Sequence, residues 1–187
     1  MISITNFDKS QTVMFIVGTI IFVPYMACLL IVIARQHKIQ EKERKNDPEL
    51  NRKTFWGMKF IKLSSIFTVS ITIINVWLFR FNKPSIYRGG DATNMIEEFN
   101  AYGLSESLVY IVGTIKVLFA LGLIFGLFWD KLLIFSASVI SFLMTAAVFM
   151  HLKIGDEFIK SLPATIMLTL CLFIIISNYY KKETSIA

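Results

Sequence analysis

The apolar stretch ESLVYIVGTIKVLFALGLIFGLFW, from Glu106 to Trp129, decides the fold of this chain. It contains only two charged residues, Glu106 and Lys116. A helix that crosses a bilayer needs about 20 mostly apolar residues, and this stretch meets that length. The stretch therefore predicts a transmembrane helix.

Four further stretches of similar length and composition predict four further spans. They are Thr12–Ala34, Phe60–Arg80, Leu132–His151 and Leu162–Tyr180. The sequence thus predicts an all-α membrane protein, built as a four-helix transmembrane bundle plus one N-terminal transmembrane helix. The expected organisation is an N-terminal helix within 1–34, a basic cytoplasmic linker at 35–59, the four-helix domain at 60–180 and a cytoplasmic tail at 181–187.

The overall composition agrees with a chain that is mostly embedded in lipid. Hydrophobic residues make up 55% of the chain and charged residues 17%, whereas soluble domains carry about 25% charge. The formal net charge is +6, but the basic residues concentrate beside the spans. Membrane orientation explains that pattern better than a nucleic-acid partner does.

The distribution of Lys and Arg between the loops predicts an N-terminus outside and a C-terminus in the cytoplasm of a cell (inner or plasma) membrane. With this orientation eleven basic residues lie inside and six outside. The inner ones are Arg35, Lys38, Lys42, Arg44, Lys45, Arg52, Lys53, Lys59, Lys131, Lys181 and Lys182. The outer ones are Lys9, Arg80, Lys83, Arg88, Lys153 and Lys160.

Metal and disulfide chemistry find no support in the sequence. Cys28 and Cys171 lie far apart in apolar stretches without a C-x-x-C motif, so neither a disulfide framework nor a zinc site is expected. His37 and His151 fall on opposite sides of the membrane in the predicted topology. No nucleotide-binding or hydrolase motif occurs, which favours a protein that is not an enzyme on its own and leaves catalytic residues unknown.

Small and polar residues indicate which helix faces pack together. Gly113, Gly122 and Gly126 lie in the third span, and the last two form a G-x-x-x-G motif that is typical of close helix contacts. Pro163 is expected in the first turn of the last span, where its missing N–H costs nothing. In the second span, one face is predicted to point into the bundle; it carries Ser65, Thr68, Thr72 and Asn75.

Lys116 is the sharpest candidate for a ligand-binding residue, because a charge near mid-bilayer costs roughly 2.5–3.5 kcal/mol. It lies about ten residues into its span, and its ammonium should point toward the outer half of the membrane. Asn75 is expected at the same depth. The pair forms either a polar site for a ligand headgroup or quinone oxygen, or a structural contact in which Lys116 bonds Asn75 and backbone carbonyls.

Three more residues complete the candidate site at the outer end of the bundle. His151 and Asp156 could form a pair that relays protons or a structural clamp of the loop. Arg80 could pair with Glu106, bind a lipid phosphate, or act as an interfacial anchor.

Three pieces of the sequence together resemble the DoxX-like family of small integral membrane proteins. They are VGTIK at 112–116, AAVFMHLKIGD at 146–156 and SLPA at 161–164, and their order and spacing are similar to those of the family over about residues 60–180. The resemblance implies a four-helix membrane bundle. Some relatives are membrane subunits of a thiosulfate:quinone oxidoreductase, and others resemble membrane anchors of redox-defence assemblies.

The resemblance implies an accessory membrane subunit of a redox or quinone-linked process, with a bound quinone or lipid and a membrane or redox protein partner. Quinone-linked members often carry an acidic residue where Lys116 stands, and this departure weakens the quinone interpretation. Two other functions stay open: a non-enzymatic scaffold that uses the basic linker, and a small transporter or lipid-binding protein that uses the polar cluster. The sequence names neither a substrate nor an oligomeric state.

Overall fold

The structure is a computed structural model that describes the backbone of residues 48–184 and the side chains of residues 56–178. The predicted first span, Thr12–Ala34, and most of the basic linker lie outside the described residues, as do Cys28 and His37. The chain divides into two units, 1–58 and 59–187, and the bundle with its candidate site lies in the second.

Five α-helices and one π-helical turn make up the described part of the chain, which contains no strand. They are α1 (Pro48–Ile74), the π-helix (Asn75–Phe79), α2 (Met95–Ala101), α3 (Glu106–Phe125), α4 (Asp130–Lys153) and α5 (Phe158–Thr184). α2 begins at Asn94, whose side chain accepts a hydrogen bond from Glu97 N (2.9 Å) and so caps the helix.

Four of these helices are long and apolar enough to cross a membrane: Trp56–Phe79, Glu106–Phe125, Asp130–Lys153 and Phe158–Asn178. Many of their large apolar side chains point outward; Phe60 and Phe142 are 72% and 73% exposed. Such an apolar outer surface suits lipid rather than water. The prediction of an all-α membrane bundle is thereby confirmed for the described residues.

The last helix begins earlier than the sequence predicted. α5 starts at Phe158 rather than Leu162, so Pro163 lies in the second turn, and the prediction that it occupies the first turn is wrong. Because proline has no N–H, Pro163 cannot bond the carbonyl of Ile159. The sequence did not predict this first turn as part of the helix, because charged residues around Lys160 are more typical of a loop.

α3 and α4 approach closely through the G-x-x-x-G motif. A Cβ added at Gly126 would lie 2.6 Å from Leu133 Cα, and one at Gly122 would lie 2.5 Å from Ser136 Oγ. Larger residues at either position would therefore push the two helices apart. The backbone turns directly after Gly126, so α3 ends at Phe125 instead of continuing to Trp129.

The inner face of the first spanning helix, Trp56–Phe79, is rotated relative to the prediction. Ser65 is buried and Thr72 is half-buried, but Thr68 and Asn75 are exposed. The buried stripe consists instead of the apolar residues Ile66, Val69, Ile73 and Trp77, together with Ser70. Ser70 Oγ donates to Ala120 O of α3 (2.9 Å), which satisfies its hydroxyl inside the core.

Candidate functional site

A cavity of about 490 Å³ opens among the spanning helices. It lies toward the end of the bundle that carries residues 80–105 and 154–157, which we call the loop end. Four of the predicted site residues line it: Asn75, Arg80, Lys116 and His151. Its remaining walls are mostly apolar and include Trp77, Phe99, Val112, Met144 and Met167. Cavities of this size and character are typical of small-molecule sites.

Lys116 reaches the cavity from the middle of α3. Its Nζ lies 5.4 Å from the centroid of the Trp77 ring, which is a cation–π contact. No hydrogen bond or ion pair of Lys116 Nζ occurs within the described part of the chain, and none joins it to Asn75. The two residues therefore share a cavity, but the structure does not contain the predicted direct contact between them.

Trp77 is held in place by the π-helix and by Gly113. The π-helix Asn75–Phe79 ends the first spanning helix of the bundle, and Trp77 is its one buried residue. A Cβ added at Gly113 would lie 2.5 Å from Trp77 Cζ3, so only glycine lets the indole lie flat against α3. Phe99 packs edge-on against the same ring, with centroids 6.1 Å apart. π-helical turns are often found at functional sites.

Arg88 organises the loop end of the bundle. It is 6% exposed, and its Nη1 donates to Glu98 Oε2 (2.9 Å). Its Nε donates to the carbonyl oxygen of Lys83 (3.0 Å), and its Nη2 donates to those of Arg80 (2.8 Å) and Phe81 (3.1 Å). One buried guanidinium thus fixes the loop after the π-helix onto α2.

Glu98 is connected to His151 through the hydroxyl of Tyr102. Its Oε1 accepts hydrogen bonds from Gly89 N (3.2 Å) and from the hydroxyl of Tyr102 (3.0 Å). The phenol oxygen of Tyr102 in turn lies 3.2 Å from His151 Nε2. A continuous row of polar contacts therefore runs from Arg88 through α2 to the end of α4.

The predicted pair of His151 and Asp156 is present and buried. His151 Nδ1 lies 2.7 Å from Asp156 Oδ2, with side chains 7% and 4% exposed. Asp156 Oδ1 accepts from Gly90 N (2.9 Å) and lies 3.5 Å from Lys160 Nζ. Lys160 also donates to the carbonyl of Gly90. The pair therefore clamps the loop around Gly90, while His151 still faces the cavity.

Arg80 does not form the ion pair with Glu106 that the sequence analysis considered. It is exposed and lines the cavity, and its side chain has no polar partner in residues 56–178. Glu98, the acidic residue of the cavity lining, is already bonded to Arg88. Glu106 instead accepts from Tyr110 Oη (3.4 Å) one turn along α3.

Burial raises the pKa of the Tyr102 hydroxyl, and the nearby Glu98 carboxylate raises it further. Tyr102 thus stays protonated in the folded protein at pH values where a free tyrosine ionises. Stability from this residue should be complete below pH about 10 and should fall as the pH rises above it, because the unfolded chain then loses the proton first. We expect the melting temperature to fall less steeply above pH 10 in Tyr102→Phe than in the wild type.

A matched control for this pH dependence is Tyr110→Phe, since Tyr110 is exposed. Its alkaline melting curve should follow that of the wild type. Equal slopes for Tyr102→Phe and the wild type would show that Tyr102 is not the residue whose protonation the fold requires.

Four residues of the site were missed by the sequence analysis: Trp77, Arg88, Glu98 and Tyr102. Trp77 could have been predicted from the sequence, because it lies two residues after Asn75 inside a span. Arg88, Glu98 and Tyr102 lie between the predicted spans Phe60–Arg80 and Glu106–Trp129, where no site residue was predicted. Only the tertiary fold shows that this segment covers the cavity.

Among the described residues, no group of three or more His, Cys, Asp or Glu side chains could hold a metal ion. Cys171 is buried and carries no disulfide.

The fold and the site can now be compared with known proteins. The model of the DoxX-like family matches residues 86–174. This part of the chain is DoxX-like. The DoxX-like segment includes all three sequence pieces that carry the resemblance, and it contributes Lys116, His151 and Asp156 to the site. Comparison with curated proteins and with solved structures finds no match.

The first spanning helix of the bundle precedes the matched segment. It supplies Asn75 and Trp77 to the cavity, and Arg80 follows it directly. The DoxX-like segment forms the other helical walls, namely α2 and the three remaining spanning helices. The domain boundary predicted at residue 60 stays a prediction.

Proposed function

We propose that this DoxX-like protein is a membrane subunit that binds a small amphipathic molecule in the cavity at the loop end. The polar end of the ligand contacts Lys116, and its apolar part lies between the spanning helices. The observation that carries the proposal is the ammonium of Lys116, which faces the cavity without a hydrogen-bond acceptor in the described part of the chain.

A charged residue within a span needs contacts that offset its cost. A lysine at the centre of a span costs roughly 2.5–3.5 kcal/mol on insertion scales. The cation–π contact with Trp77 stabilises the lysine by about 0.5–2 kcal/mol, so it offsets only part of that cost. A ligand oxygen that accepts from Nζ would supply a further charge-assisted hydrogen bond.

A role as accessory subunit in a redox or quinone-linked process is the finer form of this proposal. It rests on the family resemblance, and analogy at the level of the fold is a weak argument for function. Two physical features are compatible with a quinone: the aromatic wall at Trp77 and Phe99, and a donor at Lys116 for a quinone carbonyl. Decylubiquinone is therefore one of the probes used below.

The proposed orientation places the loop end, and hence the cavity mouth, on the outer face of a cell membrane, with the C-terminus in the cytoplasm. It is supported by the excess of Lys and Arg in the predicted inner loops. A cysteine introduced at Glu43 should resist an impermeant thiol reagent in intact cells and react after lysis. Labelling in intact cells would reverse the orientation.

Ligand retention tests the proposal directly. The wild-type protein, purified in a mild detergent, should retain a small amphipathic molecule that mass spectrometry detects at a stoichiometric level. Lys116→Leu should retain less than about a tenth as much, because a charge-assisted hydrogen bond contributes about 1.5–3 kcal/mol.

Lys131→Leu is the matched control, since Lys131 is an exposed lysine at the opposite end of the bundle. It should retain as much ligand as the wild type. Equal retention by all three proteins would rule out Lys116 as the binding residue.

A further inference from the structure

The charges around the cavity do not balance, and this imbalance indicates the chemistry of the ligand. Four basic residues line the cavity: Arg80, Arg88, Lys116 and Lys160. Glu98 is the only acidic residue in the lining. Asp156 lies behind the lining, where it contacts His151. One carboxylate in the lining, and a second one behind His151, thus stand against four cations.

Both carboxylates, Glu98 and Asp156, already form ion pairs within the protein. Glu98 forms an ion pair with Arg88 (2.9 Å), and Asp156 contacts His151 (2.7 Å) and Lys160 (3.5 Å). Neither Arg80 nor Lys116 forms an ion pair in the described part of the chain. They also lie at different levels: Arg80 directly follows the π-helix at the loop end, and Lys116 is halfway along α3.

We propose that the ligand is an anionic amphiphile, a single acyl chain that carries a carboxylate or a phosphate. This inference rests on the proposed function and specifies the ligand of the same site. The anionic head accepts hydrogen bonds from Lys116, and Arg80 attracts it at the cavity mouth.

Electrostatics favour an anionic head over a neutral one. Two cations that share a cavity with apolar walls and form no ion pair repel each other, and the repulsion grows as the local dielectric constant falls. A neutral carbonyl or hydroxyl head would accept one hydrogen bond and leave both charges in place. An anion compensates the charge and forms the stronger, charge-assisted hydrogen bond.

The shape of the cavity favours a single chain. Its volume of about 490 Å³ lies in the range of sites for one small molecule, which is too small for a two-chain lipid. The apolar wall formed by Val112, Met144 and Met167 lies at the level of Lys116 and toward the loop end, so a chain whose head binds Lys116 can lie along it.

A series of probes with one decyl chain and different heads tests the proposal. The full-length protein, in nanodiscs of uncharged phosphatidylcholine, is titrated with decanoate, decyl phosphate, decanol and decylubiquinone. Trp77 reports binding, because the chain has only three tryptophans and the changes Trp56→Phe and Trp129→Phe leave Trp77 alone beside Lys116.

At least one of the two anions, decanoate or decyl phosphate, should bind about tenfold or more tightly than decanol, as expected for one charge-assisted hydrogen bond. The anion that binds more tightly identifies the head as a carboxylate or a phosphate. This comparison uses the protein with both cations intact, so it does not depend on the folding of any cavity variant.

Two variants assign the preference to the cavity. Lys116→Leu should abolish the difference between the anions and decanol, whereas Lys116→Arg should keep it. Arg80→Gln should reduce the preference by a smaller factor, since Arg80 is exposed and more strongly screened.

The outcomes separate this inference from the proposed function. If decanol or decylubiquinone binds as tightly as both anions, the anionic ligand is wrong and the binding cavity stands. If no probe changes the emission of Trp77, both the anionic ligand and the proposed function are overturned. An anion preference that survives in Lys116→Leu would place the anion elsewhere and contradict the inference.

Discussion

Replacing Arg88 by Gln should lower the free energy of unfolding by about 3–5 kcal/mol, the range found when one partner of a buried ion pair is removed. Arg88 is 6% exposed and bonds Glu98 together with three backbone carbonyls. The substitution leaves the Glu98 carboxylate buried without its cation. It also releases the loop that covers the cavity.

Arg80→Gln is the matched control for this experiment, because Arg80 lies eight residues away at the same end of the bundle but is exposed and has no polar partner in the described residues. Its unfolding free energy should stay within about 0.5 kcal/mol of the wild type. The measurement is denaturant unfolding of the two variants in the same detergent. Equal losses for both would mean that the network around Arg88 adds nothing to stability.

A double substitution separates the ion pair from the rest of the network. Replacing both Arg88 and Glu98 by Leu removes both charges, so the destabilisation should be smaller than the sum of the two single changes. Additive losses would show that the two side chains do not interact energetically.

Lys116→Leu should have the opposite effect on stability, raising the free energy of unfolding by about 0.5–3 kcal/mol. The substitution removes the cost of a charge within a span, roughly 2.5–3.5 kcal/mol, and loses the contact with the Trp77 ring, about 0.5–2 kcal/mol. Unfolding in ligand-free detergent measures the difference. A stabilised protein that has lost its ligand is the signature of a residue retained for binding.

A loss of stability in Lys116→Leu would instead identify Lys116 as a structural residue. The control is Leu118→Lys, which moves a charge to a neighbouring position that is 60% exposed on the outer face of α3. It should destabilise the protein, because this face contacts lipid.

The helical architecture could be predicted from the sequence because length and hydropathy alone determine it. All four spans of the described part appear within a few residues of their predicted positions. Helix starts were less predictable where charge and helix overlap: Lys160 near the start of α5 is a cavity residue bonded to Gly90, rather than a loop residue.

Only part of the candidate site could be predicted from the sequence. Lys116 was visible because a charge inside a span is costly, and the short separation of His151 and Asp156 made their contact predictable. Arg88 and Glu98 were not recognisable, because a charged residue in a loop has a sufficient explanation in water. Only the fold shows that both are nearly buried and that Trp77, rather than Asn75, receives the ammonium of Lys116.

The rotated face of α1 has a similar cause. Hydroxyl residues at helical spacing predicted the inner face, but apolar residues occupy most of it, and Thr68 is exposed. A threonine hydroxyl can bond a carbonyl of its own helix, so it carries little information about which side of a membrane helix packs.

Photolabelling of the wild-type protein tests the central claim, that an amphipathic ligand lies in the cavity, most directly. Decyl amphiphiles with a diazirine in the chain, carrying either an anionic or a neutral head, are irradiated with the protein in nanodiscs, and the labelled residues are mapped by mass spectrometry. The account predicts labels on the cavity walls at Met144, Ala147 and Met167 for at least one head, and competition by the unlabelled amphiphile. Labels confined to lipid-facing residues such as Phe135 and Phe142, unaffected by competitor, would contradict it.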